Sequence, residues 1–214
     1  MKTTIVNFIL DQSGSMDSIR RETIKGVNEY MNSLKKTKGK VLFNLVLFDG
    51  DITGRIRLVN SYEYTPIKKI KDFTSQQYQP NGSTPLYDAV CSSIEKTQKY
   101  TKGMDKPAIL NVVMTDGEEN SSREHNKQCL KDIISDCEDE GNWTFVFLGA
   151  NQDSWVTGSQ LGYSVGNTMD WNSTSRGTQA AFSVLTANTR AFTASASAAP
   201  ANKLYSTKNF NNLS

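Results

Sequence analysis

The sequence predicts an α/β fold, doubly wound, in which helices cover both faces of a mainly parallel central sheet that carries one antiparallel edge strand. Three observations lead there. Apolar runs of strand length alternate along the chain with segments of helical periodicity. The run Ile109-Leu110-Asn111-Val112-Val113-Met114 is nearly continuous in apolar character, as a strand covered on both faces should be. The turn Asp49-Gly50-Asp51 joins an apolar run, Val41 to Phe48, to a more polar partner, Ile52 to Val59, the pattern of an edge hairpin. Such alternation builds a sheet with right-handed crossovers, and ligand sites then form beyond the carboxyl ends of the strands.

The elements follow in order. Residues 4–10 read as the first strand. Residues 17–36 read as a helix, with Ile24, Val27, Met31 and Leu34 on one face. After the hairpin, residues 60–84 read mostly as loop, with a short helical piece around Ile67–Phe73. A helix runs from Pro85 to about Lys102, with Pro85 in its first turn and Leu86, Val90 and Ile94 inward. Ala108 to Met114 is the central strand. Glu124 to Glu140 reads as a helix stopped by Gly141, with Leu130, Ile133, Ile134 and Cys137 on its buried face. Trp143 to Leu148 is the next strand. A short helix over Asp153–Leu161, a short strand within Ser164–Trp171 and a closing helix over Ser175–Thr193 complete a domain at residues 1–193. Residues 194–214, rich in Ser, Ala and Asn, cannot offset the entropy of ordering by burial and read as a flexible tail.

Composition narrows the function. The chain of 214 residues is 37% hydrophobic and 21% charged, with a net charge of +2, which gives no reason to expect a nucleic-acid partner. The basic run Lys35, Lys36, Lys38, Lys40 sits where a helix should end and suits the helix dipole. The start, Met1-Lys2-Thr3-Thr4, leads into only about six apolar-leaning residues, short of a secretory core or a membrane span. A cytoplasmic protein without a membrane partner is the expectation, and a monomer is favoured. Cys91, Cys129 and Cys137 read as small buried thiols.

Three loops at the carboxyl ends of strands collect oxygen. The first strand ends in Asp11-Gln12-Ser13-Gly14-Ser15, which offers more oxygen than a turn needs. The loop before the Pro85 helix carries Asn81-Gly82-Ser83-Thr84. The central strand ends in Thr115-Asp116-Gly117. Together they supply the carboxylates of Asp11 and Asp116 and the hydroxyls of Ser13, Ser15 and Thr84. No thiol or imidazole accompanies them, and hard oxygen donors select magnesium, manganese or calcium. Two carboxylates balance a divalent ion and leave it able to accept one more oxygen, such as a partner's carboxylate.

These three segments, in this order, resemble the von Willebrand factor A-type domain over roughly residues 3–193. The pieces "STPLYDAV" and "MTDGEENSS" are similar to stand-alone bacterial and phage members of that family. The resemblance implies a Rossmann-like fold and a metal-ion-dependent adhesion site at Asp11, Ser13, Ser15, Thr84 and Asp116. It also implies a Mg²⁺ ion (or Mn²⁺ or Ca²⁺) presented to an acidic residue of a partner protein, with no catalysis.

Simpler readings stand beside these. Ser15 or Asp17 caps the first helix, Thr84 caps the second, and Asp116 is a turn residue. Asp88 either backs the site or is an acid favoured near a helix N-terminus. Glu118 and Glu119 read as solvated acids, Asp49 and Asp51 as an acidic turn, and His125 as an exposed helix residue. Tyr78, Tyr87 and Trp155 are candidates to rim the metal face, with core packing expected for at least one. A different class, an Mg-dependent phosphohydrolase with Asp11 as nucleophile, needs a second acid two residues on as proton donor. Ser13 occupies that position and cannot serve at neutral pH.

Overall fold

The computed structural model describes residues 3–51, 53, 55–150 and 154–194. Of the expected tail, Ala194 ends the last helix and residues 195–214, like the side chain of Trp155, lie outside the described residues. Six strands form one sheet: β1 (Thr3–Asp11), β2 (Lys40–Gly50), β3 (Ile56–Pro66), β4 (Ala108–Thr115), β5 (Trp143–Ala150) and β6 (Thr168–Trp171). Their order is β3-β2-β1-β4-β5-β6. Only β3 is antiparallel to its neighbour; the other pairings are parallel. Five α-helices accompany the sheet: α1 (Arg20–Lys35), α2 (Leu86–Thr101), α3 (Lys127–Asp139), α4 (Ser154–Gln160) and α5 (Ser175–Ala194).

Burial on both faces explains the strand sequences. β1, β4 and β5 are buried along nearly their whole length. Alternate side chains feed two cores. Phe8 and Phe43 pack with Tyr30 of α1 and Phe182 of α5 on one face. Ile9, Val113 and Phe147 pack with Val90 and Ile94 of α2 and Leu130 of α3 on the other. Strand order reverses beside β1, where α1 leaves to one face and α2 returns from the other. The carboxyl ends of β1 and β4 meet there, in register at Leu10 and Met114.

Asn7, Asn44 and Asn111 lie side by side in the paired strands. Asn44 Nδ2 donates to Asn7 Oδ1 at 2.7 Å, and Asn7 Nδ2 donates to Ser93 Oγ of α2 at 3.0 Å. A slip of one residue would break this buried polar pairing and turn every core side chain outward.

Several elements depart from the sequence expectation. The first helix is preceded by a 3-10 turn, Gly14–Ile19, so its α-helical part begins at Arg20. The edge strand β3 extends to Pro66, well into the segment expected as loop. Its pairing with β2 is irregular, with register shifts around Phe43, Leu45 and Val46 and a positive φ of 40° at Tyr64. That irregularity blurs the period-2 signal. The helical piece after it shrinks to a 3-10 turn, Ile67–Lys69. α3 starts at Lys127, not Glu124, because Asn126 caps it by accepting from Cys129 N at 3.0 Å. Cys91 and Cys137 are buried, whereas Cys129 is exposed on the first turn of α3.

α1 and α5 meet through a glycine. A Cβ built on Gly26 would stand 2.1 Å from the Phe182 ring, which in turn meets Phe8 edge-on at 6.2 Å. Gly26→Ala should therefore destabilise the protein: overpacking costs about 1–3 kcal/mol, more than the roughly 1 kcal/mol that helix propensity returns. In a Phe182→Ala background the sign should reverse. Urea unfolding of the four variants reads this directly, and an equal loss in both backgrounds would show that the ring is not the obstacle.

Candidate metal centre

Asp11 ends β1 with its side chain fully buried. Its carboxylate accepts from Ser13 N and from Thr115 Oγ1, each at 2.6 Å. Thr115 belongs to the adjacent strand end, so one carboxylate ties the first and third segments together. Burial pushes the Asp11 carboxyl from 3.8 up to about 7, against the lowering effect of those hydrogen bonds; the nearby Asp116 charge adds to the rise. Tyr78 Oη donates to the Asp11 carbonyl at 2.7 Å. Tyr78 is wholly buried, so it belongs to the core and not to the rim, and burial holds its phenol well above the ordinary value.

The other candidates converge on this point. Ser13 Oγ and Ser15 Oγ lie 3.2 Å apart. Ser15 Oγ donates to Asp116 Oδ1 at 2.6 Å, across 101 residues of sequence. A Cβ placed on Gly117 would lie 3.2 Å from Thr84 Oγ1 and 3.7 Å from Ser15 Oγ, so both hydroxyls border the same glycine. All five predicted residues thus come together at the carboxyl ends of β1 and β4. Asp116 is partly buried and its carboxyl is raised, chiefly by burial.

The hydroxyls are not capping. The 3-10 turn has Ser13 at its N-cap without a side-chain cap bond, α1 has Ile19 at its N-cap, and α2 has Pro85, again with no side-chain cap bond. The donors are carboxylate and hydroxyl throughout. Among the described residues no group of three or more His, Cys, Asp or Glu side chains is arranged to hold a metal ion. The set therefore fits a hard divalent cation and not zinc held by thiols or imidazoles.

The loops are bonded to one another. Gly14 N donates to Gly82 O at 3.1 Å and Asn81 N to Gln12 O at 2.8 Å, joining the first two segments. Gly50 and Ser83 exchange backbone bonds at 2.9 and 3.2 Å. This closeness needs glycine: a Cβ on Gly82, at φ +78°, would fall 2.0 Å from Gly50 O. The second and third segments are joined by Thr84 N donating to Asn120 Oδ1 at 2.8 Å and Asn120 N donating to Thr84 O at 3.2 Å.

Two acids have roles different from those expected. Glu119 is no solvated acid: its carboxylate accepts from Tyr87 N at 3.0 Å, Ser121 N at 2.8 Å and Ser122 N at 2.6 Å. Asp88 does more than suit a helix dipole. Buried on α2, it accepts from Arg123 N at 2.7 Å, Glu124 N at 3.1 Å and His125 N at 2.6 Å. His125 lies in this loop, partly buried, with Nδ1 3.2 Å from Asp88 Oδ1. Glu118 is exposed, as expected. Asp49 is buried, ion-paired with Arg57 and bonded to Gln12 Nε2 at 3.0 Å. Asp51 accepts from Thr53 N at 2.8 Å and Arg55 N at 2.9 Å and closes the exposed hairpin turn. A polar, acidic loop before a helix, Asp116 to Asn126, was the available signal for Asp88 and Glu119, but their partners are backbone amides, which leave no mark in the sequence.

Comparisons with known proteins identify the family and the fold. Residues 6–162 match the von Willebrand factor type A domain model. The chain belongs to that family. Among curated proteins none matches it by sequence. Solved structures share the fold. Proximal thread matrix protein 1 from the mussel byssus, in a form with a zinc-occupied MIDAS motif, aligns with a TM-score of 0.59 at 13% identity, over 87% of this chain and 47% of that one. The pilus adhesin SpaC from Lactobacillus rhamnosus GG aligns at 0.64 and 12% identity, over 89% and 30%. The manganese-loaded TRAP protein of Plasmodium vivax aligns at 0.53 and 15% identity, over 80% and 69%. The chain thus spans about half the length of the mussel protein and less than a third of the adhesin.

Two outcomes test the geometry. A carboxyl raised by folding keeps its proton in the native state while the unfolded chain releases it. Its contribution to stability is present below about pH 4 and is lost as pH rises through about 7. In metal-free buffer, Asp11→Asn should therefore gain stability relative to wild type between about pH 5 and about pH 8. Urea midpoints check this; parallel profiles would show that Asp11 titrates alike in both states. Gly82→Ala should cost more than about 1 kcal/mol, because it meets both a positive φ and the Gly50 carbonyl. Thermal unfolding measures it, and a neutral substitution would mean that the Gly50–Gly82 contact is loose.

Proposed function

We propose that this domain is a metal-dependent protein-binding module, not an enzyme, in which Asp11, Ser13, Ser15, Thr84 and Asp116 hold a Mg²⁺ ion. The observation that carries the reading is the Ser15–Asp116 hydrogen bond at 2.6 Å beside Thr84 Oγ1, which gathers oxygens from three separate segments at one point. The buried Asp11 carboxylate supports it, since a positive charge there would offset the desolvation that raises its pKa. When bound, the ion would supply an electrophilic centre able to accept a carboxylate oxygen from a partner protein. Asp11 and Asp116 balance its charge, and the hydroxyls of Ser13, Ser15 and Thr84 add oxygen without adding charge.

The surroundings fit a protein ligand. A cavity of about 400 Å³, lined by Gln12, Arg57, Gln76, Gln79 and Asn81, adjoins the first two segments. Its amide-bearing side chains can pair with a partner's backbone. Tyr87 is partly buried beside the third segment and offers an aromatic rim. The phosphohydrolase alternative lacks a proton donor, because Ser13 is buried and hydrogen-bonded toward Ser15 where an acid is needed. The likeness of residues 83–90 and 114–122 to bacterial and phage members of the family supports a module of that type.

Two measurements test this. Mg²⁺ at about one hundred times its dissociation constant should add about 2.7 kcal/mol, a rise of roughly 5–10 °C in melting temperature for a domain of this size. Asp116→Ala should abolish that rise; a rise that survives places the ion elsewhere. Immobilised protein should then retain a partner from its native cell extract in Mg²⁺ but not in EDTA, and not as Asp116→Ala. Retention in all three conditions would sink the metal-bridged reading.

A further inference from the structure

The end of the sheet opposite the candidate metal centre gathers lysines that are far apart in sequence. α1 delivers Lys35 and Lys36 there, and the connection to β2 adds Lys38 and Lys40. β3 runs the other way and ends at Pro66, placing Lys68 and Lys69 beside the start of β2, where Leu42 pairs with Pro66. α2 ends at Thr101, and its connection to β4 carries Lys102 and Lys106, one turn beyond Lys99. The register fixes their proximity. Lys40 pairs with Thr3, and Thr4 pairs with Ala108, so only β1 separates the two basic connections, a span of about 10 Å at the usual strand spacing. All but Lys35 are exposed.

The rest of this end has a matching character. Of the exposed large hydrophobics, Tyr100 (39%) and Met104 (36%) stand here. The Tyr100 ring is stacked on Tyr64 at 3.7 Å and so is held in place. A cavity of about 540 Å³ opens between Lys99, Lys102, Lys106, Met104 and Asn142. Lys106 holds a φ of 32°, a conformation that costs a lysine energy and would cost glycine little. The acids of this end are Asp105, beside Lys106, Glu63 on β3, which pairs with Lys96 at 2.8 Å, and a group at the end of α3, Asp136, Glu138, Asp139 and Glu140, that lies under β5 and away from the β2 and β4 connections; Glu140 is engaged by Trp143 Nε1 at 3.0 Å. Arginine is nearly absent. Arg20, Arg21, Arg55, Arg57, Arg123 and Arg176 lie at the metal-centre end, and Arg190 alone lies toward the lysines.

We propose that this lysine edge docks the domain on an anionic phospholipid surface, with the candidate metal centre facing away from the bilayer. Lysine without arginine suits a diffuse layer of phosphates, whereas specific recognition of a nucleic acid or a phosphopeptide favours the forked guanidinium. The charges lie along a sheet edge and not in a groove that tracks a strand. Tyr100 and Met104 supply the apolar contacts that sit at a headgroup boundary, beside lysine stems that can snorkel. No described helix is long and apolar enough to cross a membrane, and surface docking requires none. The expectation of no membrane partner rested on the lack of a spanning segment, whereas these lysines fall in three separate connections and come together only in the fold.

Co-sedimentation with vesicles tests this on the full chain. Wild type should bind vesicles of phosphatidylserine and phosphatidylcholine and not pure phosphatidylcholine, and binding should weaken steeply as salt rises through about 0.15 M. Lys99→Gln/Lys102→Gln/Lys106→Gln should bind about a hundredfold more weakly, and so should Lys36→Gln/Lys38→Gln/Lys40→Gln. Both triple variants should keep the wild-type melting temperature and its Mg²⁺-linked rise, so a folding defect is visible as such. Asp116→Ala should bind vesicles like wild type, which separates this inference from the metal reading. Equal binding to neutral vesicles, unchanged binding by both triple variants, or tighter binding to a duplex oligonucleotide at the same salt would overturn it.

Discussion

A carboxylate buried at the end of a central strand is the constraint around which this structure is arranged. Asp11 is fully enclosed, and burial works against its charge. The neighbourhood answers with hydrogen bonds: Ser13 N and Thr115 Oγ1 serve the side chain, and Tyr78 Oη serves the carbonyl. Each answer recruits a different part of the chain. Thr115 brings the end of β4, Tyr78 brings the segment after β3, and Ser13 starts the turn that leads into α1. Hydrogen bonds reduce the cost of such a group but do not remove it, as the raised carboxyl shows. The remaining deficit is the physical motive for a cation at this point, and it is independent of any resemblance.

The three loops differ in how firmly they are held. The segment after β4 is fixed to α2 by two carboxylates, Asp88 and Glu119, which together accept five backbone amides of residues 121–125 and one of α2, Tyr87. Thr84 and Asn120 add reciprocal bonds. Thr84 and Asp116 therefore belong to one body with α2. Ser15 is exposed, lies in a 3-10 turn with no side-chain cap, and touches that body through its bond to Asp116. Met16 and Ile19 of the same turn are buried in the core, so the turn is packed onto the body of the domain while Ser15 stays at its surface. α1 in turn meets α5 where Gly26 faces Phe182.

Much of this was legible in the sequence because burial on both faces leaves a strong signal. The apolar runs of β1, β2, β4 and β5 and the inward faces of α1, α2 and α3 follow directly from it. The convergence of the five candidate residues was legible because glycine and hydroxyl residues cluster at strand ends more densely than turns require. What escaped notice has one common cause: its partners are distant or are backbone. β3 beyond Val59 is irregular, so its alternation is hidden. Glu119 and Asp88 bind amides, which any residue supplies. Tyr78 looked like a rim aromatic, and only the packing of residues 70–78 against α1 places it inside, with Arg20 Nε bonded to its carbonyl at 2.9 Å. Asn7, Asn44 and Asn111 each interrupt an apolar run, but their alignment depends on register, which single strands do not encode.

Parallel topology gives such a domain two unlike ends, and the chain uses the difference. At the carboxyl ends of the strands the loops are bonded to one another, hold most of the arginines, and place their acids in hydrogen-bonded networks. At the amino ends the connections are short and carry lysines that bond to little. A site that must hold oxygens to within fractions of an ångström needs rigid, mutually bonded loops, and the ion-paired Arg57 and the Arg20 guanidinium contribute to that rigidity. An end that only meets a charged layer needs none of it. Mobile, strongly hydrated ammonium groups suffice there, and fixing them would cost side-chain entropy without gain. The segregation of arginine from lysine along the sheet axis is therefore the physical mark of two surfaces with different demands on precision.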